Sequence, residues 1–219
     1  SNHLTGFPHP RGTYIMPRIM TETIELQRIE IVGTTGGAHL LITGGVHGDE
    51  FESMSAIRRL ADAVSAEELT GSLTLVPVVN EAAFLNGNRT AEDGLDLARV
   101  CPGDPQGSVT LRTAVALTAL IESADYYIDL HSGGIVMDVW PMSGYGLSDD
   151  PERLDIQRRM ARALNLPVIW GTCGKLDGRS LSVARDAGVP AIYTEYLGGG
   201  RCSPEGVDAY VEGCLNVMG

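Results

Sequence analysis

The chain has 219 residues, 43% of them hydrophobic and 20% charged, with a formal net charge of −12. That is enough for one domain with a sizeable core, and with no basic stretch to offset the charge it excludes nucleic acid and anionic membranes as partners while leaving small anions open. No apolar run approaches the ~20 residues of a membrane span. The four cysteines (Cys101, Cys173, Cys202, Cys214) show no C-x-x-C spacing and read as free thiols. A reducing compartment, the cytoplasm, is the expectation.

Residues 3–20 carry Pro8, Pro10 and Pro17 with little periodicity, so 1–20 is expected to be an extended arm. Residues 23–31 alternate polar and apolar, the pattern of a half-exposed strand near a sheet edge. A glycine-rich turn leads to His39-Leu40-Leu41-Ile42-Thr43, a second strand. Phe51, Met54, Ile57, Leu60, Ala61 and Val64 lie at helical spacing and predict a helix over 49–66. A central strand over 72–79 ends at Asn80, with Pro77 placed where no ladder bond is needed. Residues 81–107 read as an irregular loop, and a loop of that length in a compact domain is usually functional.

A helix over 108–122 precedes a short buried strand over 126–130, which ends at His131. Gly133-Gly134 opens another loop, expected to run to Ser148. A helix over 151–164, a strand over 167–170, a short helix over 179–187 and a strand over 190–194 ending at Glu195 follow. Pro204, in the first-turn position after Ser203, starts the last helix. This order predicts an α/β fold: a mostly parallel mixed sheet flanked by helices on both faces.

Four apolar strands lead into a polar residue: the region of His47, then Asn80, His131 and Glu195. Ligands of open α/β sheets bind beyond the carboxyl ends of parallel strands, so these residues should converge in space. His47 and Glu50, three apart in Gly44-Gly45-Val46-His47-Gly48-Asp49-Glu50, can face one divalent ion, although His-x-x-Glu alone is a weak signal. His131 is the natural third ligand, since two His and one Glu with an open position form a known catalytic zinc set. Asp129 shares a strand face with His131 and can accept a hydrogen bond from its imidazole, or equally from backbone or an arginine. Glu195, beside Gly198-Gly199-Gly200, can take a proton from a water and pass it on. Arg89, Arg99 and Arg179 lie in or beside the rim loops, where a guanidinium can hold a carboxylate, stabilise an oxyanion or simply form surface ion pairs. Neither a phosphate-binding glycine motif nor a G-x-S-x-G nucleophile elbow is present.

Taken in order, Gly44 to Glu50, Asp96-Leu97-Ala98-Arg99 with Pro102-Gly103-Asp104, Ile128-Asp129-Leu130-His131, and Glu195 before its glycines resemble the succinylglutamate desuccinylase/aspartoacylase family of the zinc carboxypeptidase superfamily, over about residues 38–218. The resemblance implies a zinc-carboxypeptidase-like catalytic domain over 1–219 that cleaves the amide of a small N-acylated amino acid. It implies one Zn2+ per chain on His47, Glu50 and His131, with Glu195 as the catalytic glutamate and Arg89 as the carbonyl-polarising arginine. Arg99 matches the carboxylate-binding arginine, Arg179 a further substrate arginine, and Asn80 is grouped with them at the substrate. Ala98 stands where the family usually has Asn, and Glu81 where Pro is common, so a shifted specificity is expected. The family's β-rich C-terminal domain has no counterpart before Gly219. The rival readings are a metallocarboxypeptidase acting on short peptides and a catalytically silent metal-binding domain. The oligomeric state stays open, a homo-oligomer included.

Overall fold

The computed structural model describes residues 23–219, so the arm expected over 1–20 lies outside the described residues. In chain order the elements are β1 (Ile29–Val32), β2 (Thr35–Thr43), α1 (Phe51–Ala63), β3 (Thr70–Val76), α2 (Glu81–Leu85), a 3-10 turn over Leu97–Arg99, α3 (Val109–Glu122), β4 (Tyr126–Leu130), β5 (Asp138–Gly146), α4 (Pro151–Ala163), β6 (Val168–Thr172), α5 (Ser180–Ala187), β7 (Ala191–Gly198) and α6 (Pro204–Met218). The strands form one sheet in the order β1-β3-β2-β4-β7-β5-β6. The pairings β2–β3, β2–β4, β4–β7 and β5–β6 are parallel, whereas β1 with β3 and β5 with β7 run antiparallel. The mostly parallel mixed sheet expected from the strand–helix alternation is therefore present.

The two-residue strand period divides the core between the two faces of the sheet. Leu40, Ile42, Leu73, Leu75, Ile128, Leu130 and Ile192 pack with Ile57 and Leu60 of α1, Met160 and Ala161 of α4, and Val207 and Tyr210 of α6. Leu41, Val76, Tyr127 and Ala191 point the other way, against Ala114, Leu117 and Ile121 of α3 and Val183 and Ala184 of α5. Strands buried on both faces must be apolar throughout, which is why β2 and β4 read as runs rather than alternations. Helix starts follow local chemistry. The Ser203 hydroxyl accepts from Gly206 N, and the Asp150 carboxylate accepts from Glu152 N and Arg153 N, each just before a proline at the head of its helix.

Three expectations need correction. The loop expected from Gly133 to Ser148 contains β5, hidden by Pro141, Gly144 and Gly146. The β5–β7 register shifts between Val139 and Met142, and Pro141 falls inside that irregularity, where a missing N–H costs no ladder bond. Because β5 runs antiparallel beside β7, the ladder continues past Thr194, and Glu195 lies within its strand instead of ending it. The region 81–107 is not wholly irregular either: Asn80 starts α2, and Asp96 starts the 3-10 turn. Asp96 caps that turn by accepting from Ala98 N at 2.9 Å. No described helix is long and apolar enough to cross a membrane.

Candidate metal centre

The backbone leaves β2 at Thr43 and turns through Gly44–Glu50 into α1. Gly48 has no alternative residue here, because a Cβ would overlap the backbone of Ala83 and Phe84 in α2. The turn sets His47 and Glu50 side by side, and β4, parallel to β2, delivers His131 to the same place. One donor atom from each of the three lies within 4.8 Å of the others. All three are buried, at 3%, 1% and 8% exposure for His47, Glu50 and His131.

Both rings turn Nδ1 toward the glutamate. His47 Nδ1 is 2.6 Å from Glu50 Oε1, and His131 Nδ1 is 2.9 Å from Glu50 Oε2. Each Nε2 meets another carboxylate, His47 with Asp96 Oδ1 at 2.9 Å and His131 with Asp129 Oδ2 at 3.1 Å. Asp129 is itself held by Thr43 Oγ1, which donates at 2.9 Å, and by Ser180 Oγ, which donates at 2.5 Å. A carboxylate on Nε2 fixes the proton there and frees the Nδ1 lone pair for a metal.

The electrostatics test whether a cation fits. Burial disfavours charge on both histidines, yet the adjacent carboxylates outweigh it, Asp96 and Glu50 for His47, Asp129 and Glu50 for His131, and both pKa values are raised. Burial likewise opposes ionised Glu50, but His131 and His47 hold its carboxyl down at about 2. Three convergent donors thus sit where the surrounding carboxylates call for positive charge. A divalent ion supplies that charge and takes the place of the two Nδ1 protons, so the residues fit a metal.

Around the triad lies a cavity of about 320 Å³, lined by Arg89, Arg99, Arg179, Tyr193 and Glu195 among others. Glu195 comes from β7, and its Oε2 is buried without a hydrogen-bond partner. Burial, reinforced by Glu50, pushes its pKa up to about 7, against the opposing pull of His131. Arg89 Nη2 donates to Asp96 Oδ2 at 3.1 Å, and its Nη1 is 3.5 Å from Glu50 Oε1. Arg99 donates to the Ala98 carbonyl at 2.8 Å. The Nε of Arg179, at the head of α5, is buried without a partner, and burial and the nearby Arg99 both lower its pKa.

Of the residues expected at the site, only Asn80 is not brought to the cavity lining. It is 1% exposed, its Oδ1 accepts from Ala83 N at 3.2 Å, and its backbone N donates to the Gly45 carbonyl. It secures the turn that carries His47. Sequence reading gave no role to Asp96, Ser180 or Tyr193. Asp96 lies 49 residues from His47 and Ser180 lies 51 from Asp129, so no local spacing could announce either contact.

A family model described as the succinylglutamate desuccinylase/aspartoacylase catalytic domain matches residues 36–219. The N-alpha-acetyl-L-2,4-diaminobutyric acid deacetylase of Halomonas elongata is 34% identical over 194 residues, covering 87% of this chain and 56% of that protein. The crystal structure of succinylglutamate desuccinylase/aspartoacylase from Rhodobacter sphaeroides superposes with a TM-score of 0.82 at 31% identity, covering 89% of this chain and 58% of that one. The product-bound structure of the ectoine utilization protein EutE (DoeB) from Ruegeria pomeroyi superposes with a TM-score of 0.81 at 32% identity, covering 87% of this chain and 59% of that one. The chain thus spans somewhat more than half the length of these relatives. By the extent of these matches, the chain belongs to the succinylglutamate desuccinylase/aspartoacylase family, through its catalytic domain.

Proposed function

We propose that the chain is a zinc-dependent hydrolase that cleaves the amide bond of a small N-acylated amino acid. The observation that carries this reading is the buried, unpartnered carboxylate oxygen of Glu195 on the cavity that also holds the His47, Glu50 and His131 donors. Two imidazoles and one carboxylate with an open side are a donor set suited to catalytic zinc. A zinc ion held by His47, Glu50 and His131 would supply Lewis acidity, polarising a carbonyl and lowering the pKa of a water toward ~7. Glu195, with a pKa near 7, takes the proton of the attacking water and returns it to the leaving amine. Arg89, braced by Asp96 and Glu50, faces the carbonyl and stabilises the oxyanion. Arg99 and Arg179 hold a carboxylate of the substrate. Asn80 acts through the turn it caps, not on the substrate.

The deacetylase name of the Halomonas relative supports an amino-acid amide as the substrate class. The test is metal analysis combined with a hydrolysis panel of N-acetyl, N-succinyl and longer N-acyl amino acids, Nα-acetyl-2,4-diaminobutyrate included. One zinc per chain and chelator-sensitive deacylation are expected. Glu195→Gln should lower kcat on the order of 10²- to 10⁴-fold while zinc stays bound. Full activity in that variant overturns the mechanism.

A further inference from the structure

The cavity continues from the metal centre toward α5, and Tyr193 lies on that side. On β7 it pairs with Asp129 of β4 on one flank and with Gly144 of β5 on the other. A side chain at position 144 would overlap the Tyr193 ring and its hydroxyl, so the glycine is what allows the ring to lie across β5. Tyr193 and Glu195 share a strand face two residues apart, which sets their Cα atoms about 6.6 Å from each other. The phenol therefore stands one strand step from the group that faces the scissile bond.

Its hydroxyl forms no hydrogen bond with any described residue, while Arg179, Glu195 and His131 all act on it electrostatically. Burial, with Glu195 adding to it, raises its pKa and keeps the proton on the oxygen. The charge around it is one-sided. Among the described residues, the acidic ones on the cavity lining, Glu50, Asp129 and Glu195, all stand at the metal centre. Arg89, Arg153 and Arg185 are each paired with carboxylates, whereas Arg99 and Arg179 have no ion pair among the described residues. A free phenol O–H and a guanidinium without an ion pair that line one cavity and act on each other electrostatically make an arrangement that suits an anion.

We propose that Tyr193 is a specificity-determining residue, whose hydroxyl, together with Arg179, hydrogen-bonds a carboxylate carried by the substrate on the floor that Gly144 leaves open. The proposal takes the ligand class from the acyl amino acid reading, but binding tests it without turnover. The carboxylate is either the one on the α-carbon or one on the side chain, and three probes separate the two. N-acetyl-L-glutamate has both, 4-acetamidobutyrate lacks the α-carboxylate, and N-acetyl-L-2-aminobutyrate lacks the side-chain one.

Calorimetric Kd values are compared in the Glu195→Gln background, with and without Tyr193→Phe, each protein loaded with its metal so that no probe is hydrolysed. Tyr193→Phe should weaken N-acetyl-L-glutamate on the order of 10-fold, as expected for losing a hydrogen bond to a charged group. One truncated probe, the one without the carboxylate that Tyr193 holds, should change less than about twofold. Gly144→Ala, which displaces the ring, should show the same selectivity. Equal losses for all three probes, no loss for any, or no binding of the dicarboxylate to the Glu195→Gln protein would overturn the proposal. Selective loss without hydrolysis of any acyl amino acid would retain the subsite and remove the deacylase reading.

Discussion

Glu195 carries opposite consequences for catalysis and for stability. Its carboxyl is raised from 4.5 to about 7, chiefly by burial, so the base role proposed for it requires a pH above that range. A bound cation lowers the value, because positive charge favours the carboxylate. The acid limb of kcat/KM should therefore rise at or below pH 7 and disappear in Glu195→Gln. The stability effect has the opposite sign. A folded-state pKa above the unfolded one gives stability that is present below 4.5 and lost as pH rises through 7. Urea denaturation of metal-free protein at pH 8 should find Glu195→Gln more stable than wild type, by at most about 3 kcal/mol. At pH 4 the two should be close. Equal stability at both values would contradict the burial of an ionised Glu195.

Asp96 and Asp129 hold the Nε2 sides of the two histidines, and removing either charge leaves the ligand itself in place. Asp129→Asn or Asp96→Asn should weaken metal binding about 10- to 100-fold in a chelator competition. Asp96→Asn should also free Arg89, and so lower kcat beyond what restored metal occupancy recovers.

At the scale of elements, the centre depends on how closely α2 can approach the turn before α1. Gly48→Ala puts a methyl group into the backbone of Ala83 and Phe84. We expect a loss of at least about 2 kcal/mol in stability, with metal affinity falling in step, because relief of the overlap moves His47. Ser203→Ala provides the contrast. It removes the cap of α6, about 1 kcal/mol, and leaves the metal centre untouched. Denaturant midpoints combined with metal titration separate the two outcomes. The β5–β7 irregularity has a similar positioning role, since it takes up Pro141 without breaking the ladder on which Tyr193 and Glu195 stand.

For the whole molecule, His47 and Glu50 come from the turn after β2, His131 from the end of β4 and Glu195 from β7, and only the folded sheet joins them. An ion held by His47, Glu50 and His131 binds the folded chain and not the unfolded one. Zinc at about 1,000 times its Kd should add about 4 kcal/mol, or roughly 8–16 °C in Tm for a domain of this size. A chelator should reverse the rise, and Glu50→Ala should abolish it. A zinc-independent Tm would rule out these residues as a metal site.

Much of this was determined by sequence alone, wherever a local period or a short motif carried the information. Apolar runs marked β2 and β4 as strands, Pro204 after Ser203 marked the start of α6, and the spacing of His47 and Glu50 marked two candidate donors for one ion. Tertiary structure alone decided the rest. β5 was masked by residues that normally break strands, and its pairing with β7 appears only once the sheet is assembled. Asp96 on His47, Ser180 on Asp129 and Gly144 beneath Tyr193 each join residues about 50 positions apart, and the Asn80 side chain caps α2 and does not line the cavity. Periodicity records which way a side chain faces, whereas its partner across the cavity is set by strand order. That order decided how His47 and Glu50, legible from the start, became part of a centre with Asp96, Asp129 and Glu195 around it.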